Sequence, residues 1–339
     1  MSSFFSKFKL SQTRERLSIG LDIGTQVIKC VKLKTGAAIE LISFDLEESQ
    51  IDPTEVLKKI KHAQDADLVN ISFCGLSTVI RYVNFLRMNK AELRQALKFE
   101  AQKYIPFSLN EVNLDAEILK NDLPENKMLV LIAAIKKEFM QQRAKSLENA
   151  GFRPNIIDID SLALVNAFNF NYPKVDVAEN KSICLLNIGA SISNVNILDN
   201  GIPRLSRDIH TGGANFTKKL MDIFELDFKA AEELKINPAP DKADKIRTAI
   251  EGVLANLATE IRTSFDYYES QNASSVVKIF LSGGASKVGG LAEMLAAALG
   301  IPVESWDPFK QIKISEAVDL QKLNKSGGQF NIAVGLALR

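Results

Sequence analysis

Histidine is nearly missing from this 339-residue chain, which holds two, and tryptophan occurs once. Cysteine is scarce as well. Cys30, Cys74 and Cys184 are odd in number, far apart and set in strand-like apolar runs, with no CxxC. That excludes a disulfide framework and a metal centre built on thiolates or paired imidazoles, and it points to buried thiols in a reducing compartment. Two isolated histidines, His62 and His210, are too few for histidine catalysis. Long hydrophobic runs are also absent. The longest is Met128 to Ile135 (MLVLIAAI), far short of the roughly 20 residues of a membrane-crossing helix. With no signal-peptide pattern, the expectation is a soluble, cytoplasmic protein. Net charge is close to nil at +1, which gives no field suited to nucleic acid. The usual phosphate-loop patterns, GxGxxG and GxxxxGK[ST], do not occur. What remains is ordinary globular usage, 46% apolar and 24% charged, over a length that fits two domains of roughly 150 residues.

The informative feature is a device that occurs twice. A hydrophobic strand runs into a glycine turn and out into a second strand, first in IGLDIGTQVIKCVKL (Ile19 to Leu33) and again in CLLNIGASISNVNIL (Cys184 to Leu198). A glycine turn lets the backbone approach closely and aim N–H groups at an anion, so two opposed turns form a clamp for a polyphosphate. Around the hairpins, periodicity predicts strands alternating with helices, hence sheets covered by helices. A polar stretch from Asn171 to Lys181 marks the boundary between halves. The units expected are a flexible tail over 1–16, a first domain over 17–180 with an inserted subdomain at about 45–125, and a second domain over 181–339. The tail carries Phe4, Phe5, Phe8 and Leu10 among Lys7 and Lys9, a composition that suits a membrane surface but is too short to anchor by itself.

Three constellations carry the chemistry. In the first hairpin Asp22 precedes Gly24, Thr25 and Gln26, with Lys29 on the returning strand. Backbone N–H groups and the Thr25 hydroxyl suit phosphate oxygens, Lys29 supplies a point charge, and Asp22 suits a water of a magnesium ion. The bland alternative is a tight hairpin with a surface lysine. The second hairpin repeats the pattern with Asn187, Gly189, Ala190 and Ser191, but its acid is missing, so Asn187 can only accept a bond from metal-bound water. The third is LSGGASKVGGL, where Gly283, Gly284 and Ala285 follow a buried strand and leave room for a flat ring. Gly212 and Gly213 open a helix with free N–H groups.

With these turns in this order the chain resembles the actin-like ATPase superfamily, α/β proteins in which two ribonuclease H-like domains flank a nucleotide cleft. IGLDIGTQVIK looks like the first phosphate motif, NIGAS the second, LSGGASKVGGL the adenosine motif, and DIDSLALVNAF and AVGLALR the connecting helices. Within it, KAELRQALKFEAQKYIPFSLNEVNLDAEIL, RYVNFLRM and AAEELK resemble the type IV pilus assembly family PilM, with its FtsA-like inserted subdomain. The resemblance implies ATP or ADP with magnesium in the cleft, Asp22 and Asn187 holding magnesium through water, and Gly24, Thr25, Gln26, Lys29 and Gly189 to Ser191 on the phosphates. It places Gly212 and Gly213 near the phosphates or ribose, Glu232 and Lys235 near ribose or base, Gly283 to Ala285 on adenosine, and Asp160 beside the attacking water. As plain structure, Asp160 is a helix N-cap and Glu232 and Lys235 are a solvated i,i+3 pair. It further implies a scaffold that grips the cytoplasmic amino-terminal peptide of PilN, meets other inner-membrane or motor components, and sits at the inner membrane through its partners. Hydrolysis is expected to be weak at most. The alternatives are an FtsA-like filament former, a type II secretion component, and a small-molecule kinase of the same fold.

Overall fold

The computed structural model describes residues 15–49, 53–238 and 240–339. The tail expected over 1–16 therefore lies almost wholly outside the described residues. The chain starts with β1 (Arg16–Ile23), β2 (Val27–Thr35) and β3 (Glu40–Glu48), an antiparallel meander. After α1 (Pro53–Gln64), β4 (Leu68–Phe73) lies parallel to β1.

The chain then leaves this sheet. β5 (Thr78–Leu86), α2 (Lys90–Glu100), β6 (Val112–Leu123) and β7 (Lys127–Lys136) build a separate antiparallel sheet in the order β5-β7-β6. It spans 78–136, starting and ending later than the 45–125 expected, because β4 is claimed by the first sheet. Asn89 caps α2 with its side chain, and Glu92 bonds back to the Asn89 N–H, two free donors satisfied reciprocally. The helix ends at Glu100 in a 3-10 turn, Ala101–Lys103, a tightening common ahead of a proline, here Pro106.

β7 is the hydrophobic run noted above, and its period of two explains why it is apolar throughout. Met128, Val130, Ile132 and Ala134 face the core of the small sheet, whereas Leu131, Ala133 and Ile135 face the core of the first sheet. The inserted sheet is thus welded to the first half through one strand. α3 (Lys137–Asn149), β8 (Arg153–Ile159) on β4, and α4 (Asp160–Asn171) complete that half.

The second half repeats the plan. β9 (Lys181–Ile188), β10 (Ser193–Asp199) and β11 (Ile202–Ile209) form an antiparallel meander. α5 (Gly213–Phe224), α6 (Phe228–Ile236) and α7 (Ala243–Gln271) follow, then β12 (Ser275–Ser282), α8 (Leu291–Leu299) and β13 (Val303–Ser305). β12 lies parallel to β9, and the sheet order is β11-β10-β9-β12-β13. The 29 residues of α7 span about 43 Å at 1.5 Å per residue.

The last segment does not stay with the second half, as a unit of 181–339 would require. β14 (Lys313–Ile314) pairs with β3, and after α9 (Leu320–Ser326), α10 (Asn331–Ala337) lies against β1 and α4. Two glycines permit this. A Cβ at Gly335 would lie 1.8 Å from the Ala163 carbonyl oxygen, and one at Gly20 would lie 2.0 Å from that of Ala333. α4 is apolar on nearly every side because it is buried on nearly every side. Its Phe168 ring meets Phe280 and Trp306 of the second half, at centroid distances of 4.7 and 5.1 Å. Arg339 pairs with the buried carboxylate of Asp158 on β8, at 2.5 Å.

Candidate functional site

Both hairpins turn in the same way. A Cβ at Gly24 would sit 2.8 Å from the carbonyl oxygen of Val27, and a Cβ at Gly189 would sit 2.8 Å from that of Ile192, in each case three residues on. Only glycine fits where the chain folds back so tightly. The two turns come from different halves of the chain, yet they meet: the Thr25 and Ser191 hydroxyls are hydrogen-bonded at 2.9 Å. Behind the first turn, Asp22 and Lys29 are directly opposite on β1 and β2 and form an ion pair of 2.9 Å with little exposure. Gln26 holds the turn to the following chain by accepting from the Ser49 N–H.

The second turn rests on the start of α5. Gly213 N–H donates to the Gly189 carbonyl and Ala214 N–H to that of Ala190, both at 2.8 Å. Gly212 lies so close that a Cβ there would be 2.6 Å from the Ala190 oxygen. The third turn closes in from β12, parallel to β9: a Cβ at Gly283 would be 2.4 Å from the Ile188 oxygen, and the Ala285 methyl packs on Gly213. Gly283 N–H bonds to the Gly328 carbonyl, and Gly284 faces Gln329, so this turn also touches the C-terminal segment. Lys235 is not half of a solvated pair. It is buried and donates to Glu232, the Thr217 hydroxyl and the Gly213 carbonyl, tying α6 to the N-terminus of α5. Burial lowers its pKa, and Glu232 opposes that.

On the first-half wall, Asp160 is the first residue of α4, and Ile159 holds the cap position. Its carboxyl interacts with the side chains of Ser72 and Cys74 rather than capping the helix. Burial first, then the neighbouring Asp22 charge, push its pKa up to about 6. The sign follows directly. The folded pKa lies above the unfolded one, so the charged carboxylate subtracts from stability as pH rises through about 6, and that penalty vanishes below about 4. Asp160→Asn should therefore raise the melting temperature at pH 8 and not at pH 4, the shift from 3.8 to about 6 corresponding to at most about 3 kcal/mol. Equal melting changes at both values would contradict the assignment. The Cys30, Cys74 and Cys184 thiols are all raised by burial, which leaves them unreactive.

Sequence reasoning missed three residues here. Arg143 of α3 reaches the Ile23 carbonyl at 3.4 Å and lies 5.6 Å over the Phe73 ring. Burial lowers its pKa, and Asp160, Cys74 and Asp22 raise it. Asn194 and Asp208 stand behind the second turn: Asn187 donates to Asn194 at 3.0 Å, Asn194 donates to Asp208 at 2.7 Å, and the Ser282 hydroxyl donates to Asn187 at 3.3 Å. Their one sequence signal was polar alternation, Asn194 and Asn196, in an otherwise apolar strand. A cavity of about 450 Å³ opens elsewhere, between α5 and α7, lined by Lys219, Ile223, Asp244, Lys245, Thr248 and Ala249. None of the turn residues line it, and the convergence of three glycine turns locates the site better than that volume does. No helix among the described residues is long and apolar enough to cross a membrane.

A family model described as type IV pilus assembly protein PilM matches residues 20–339. Among solved structures, the PilM-PilN type IV pilus biogenesis complex contains a chain 26% identical to this one, with a TM-score of 0.82 over 95% of this chain and 98% of that chain. MreB5 of Spiroplasma citri bound to ADP is 11% identical, with a TM-score of 0.50 over 94% of both chains. Ta0583, an archaeal actin homolog, is 10% identical, with a TM-score of 0.50 over 95% of this chain and 98% of that chain. The last two likenesses show the fold alone, two actin-like α/β domains.

Proposed function

Because the chain belongs to the type IV pilus assembly protein PilM family, we propose that it is an ATP-binding scaffold of type IV pilus assembly whose partner is the amino-terminal cytoplasmic peptide of PilN. The partner rests on the likeness to the chain of the PilM-PilN complex. One observation carries the nucleotide reading: the turns of Gly24 and Gly189, remote in sequence, face each other and touch through Thr25 and Ser191. Neither turn has room for a Cβ, which fits phosphate oxygens lying against the main chain. Gln26 and Lys29 belong with the first turn, Ala190, Gly212 and Gly213 with the second, and Gly283 to Ala285 with the adenosine. Glu232 and Lys235 support that wall by bracing α5.

Magnesium fits the donor set through Asp22, a buried carboxylate on the wall beside the phosphates, with Asn187 opposite supplying an amide in place of a second charge. The ion would neutralise phosphate charge; Asp160, ionised above about pH 6, would orient a water beside the phosphates. One neutral amide where a second acid would act supports weak hydrolysis at most, and a scaffold's role needs none. We assign residues 17–180 and 313–339 to the first domain, 78–136 to its insertion, and 181–312 to the second. Membrane association follows through PilN.

A synthetic PilN amino-terminal peptide titrated into the protein should bind with an affinity that differs at least threefold with and without Mg-ATP, a shift of about 0.7 kcal/mol. Identical affinity would leave a peptide-binding scaffold uncoupled from nucleotide. Absence of binding would remove the partner. Co-sedimentation with ATP separates this reading from an FtsA-like polymer, for which the protein would pellet.

A further inference from the structure

The polar ladder behind the second turn does more than fill space. Asn187, Asn194 and Asp208 are directly opposite one another across β9, β10 and β11, and their side chains form a single file of hydrogen bonds. Its direction is fixed by its ends. A carboxylate only accepts, so Asn194 must turn its NH2 to Asp208 and its oxygen to Asn187, which must then donate. The file does not stop at the sheet edge. The other Asp208 oxygen accepts the main-chain N–H of Gly75, in the first half, at 2.6 Å. Gly75 opens the short turn that feeds β5, the first strand of the inserted sheet. It also touches the second turn directly, since a Cβ at Gly75 would lie 2.8 Å from the Ile192 side chain. One rung along, Ser206 donates to Asn196 at 2.6 Å and bonds the Tyr82 hydroxyl of β5 at 2.8 Å.

We propose that Asp208 is a positioning residue that sets the orientation of the Asn187 amide at the second turn and, through Gly75, joins that turn to the root of the inserted sheet. The inference deepens the nucleotide reading above and rests on it for its affinity readout. A ligand that shifts the second turn then shifts Gly75 by two routes, the Ile192 contact and the amide file. The same polarity says why restoring an acid at 187 alone does not improve the site. Asn194 would lie between two carboxylates and could turn its NH2 to only one.

The file can be reversed without losing a bond. In the double variant Asn187→Asp with Asp208→Asn, Asn194 flips, donates to position 187 and accepts from position 208, whose oxygen still takes the Gly75 N–H. Asn187→Asp alone leaves two acceptors face to face, whereas Asp208→Asn alone no longer fixes the direction of the file, because three amides ending on the Ser282 hydroxyl bond equally well either way. Asn187→Asp and Asp208→Asn should each weaken Mg-ATP binding about tenfold, while the double variant returns to within about threefold of the parent. Thermal melting without nucleotide should fall in Asn187→Asp and recover in the double variant. A double variant as weak as the product of the singles, about a hundredfold, or an Asp208→Asn protein equal to the parent, would overturn the proposal. If a single variant does not fold, recovery of folding in the double supports the file, and a double that also fails to fold overturns it. Should the melting cycle recover while even the parent ignores Mg-ATP, the file stands and the nucleotide reading falls.

Discussion

Gly283→Ala should lower the melting temperature by about 6–12 °C and abolish measurable ATP binding. Gly283 has φ 93° and ψ 172°, a region that other residues essentially never enter and that costs about 1–3 kcal/mol for them. The new methyl would also stand 2.4 Å from the Ile188 oxygen and 2.7 Å from its carbon. Both atoms are main chain, one residue before the second glycine turn, so relief comes only by moving that turn. Strain and overpacking together amount to about 3 kcal/mol or more, and each kcal/mol shifts the melting point of a domain this size by about 2–4 °C. Gly289→Ala is the matched control, since a Cβ there meets nothing within 4 Å. Indistinguishable melting of the two variants would show that the third turn does not bear on the second.

Lys29→Ala should weaken Mg-ATP binding by about 10- to 100-fold, through two effects that act together. It deletes a charge-assisted phosphate contact worth about 1.5–3 kcal/mol. It also strips Asp22 of its ion pair in a side chain only 8% exposed, with the Asp160 carboxyl as its neighbour. Calorimetry with Mg-ATP measures the loss directly. Unchanged affinity would break the assignment of the first turn.

Much of this was legible in the chain. The twin turns announced themselves by composition, and the alternation of helices and strands followed from period and punctuation. The meeting of the turns was an inference from likeness, realised in the Thr25 to Ser191 bond. What stayed hidden is what depends on contacts between distant segments. Nothing local in Lys313–Ile314 says that it pairs with Glu40 and Leu41, so the contact of the C-terminal segment with the first sheet was not foreseen. The tight approaches at Gly20 and Gly335 look, in a sequence, like any strand or helix glycine. Arg143 reads as one more charge on an amphipathic helix, because burial against Phe73 is a property of the assembled wall. Lys235 misled in the same way: at i,i+3 from a glutamate it fits a solvated pair, yet α5 covers it. The Asn194 and Asn196 alternation could have been read. Polar side chains every second residue in a strand otherwise apolar mark one face that is buried yet needs hydrogen-bond partners.

If one nucleotide sits between the Gly24 and Gly189 turns, titration calorimetry of Mg-ATP into the parent, Lys29→Ala and Gly289→Ala proteins should give one saturable site per chain, lost or strongly weakened in Lys29→Ala and retained in Gly289→Ala. A parent protein that takes up no ATP, or that binds it equally well without Lys29, would rule that placement out.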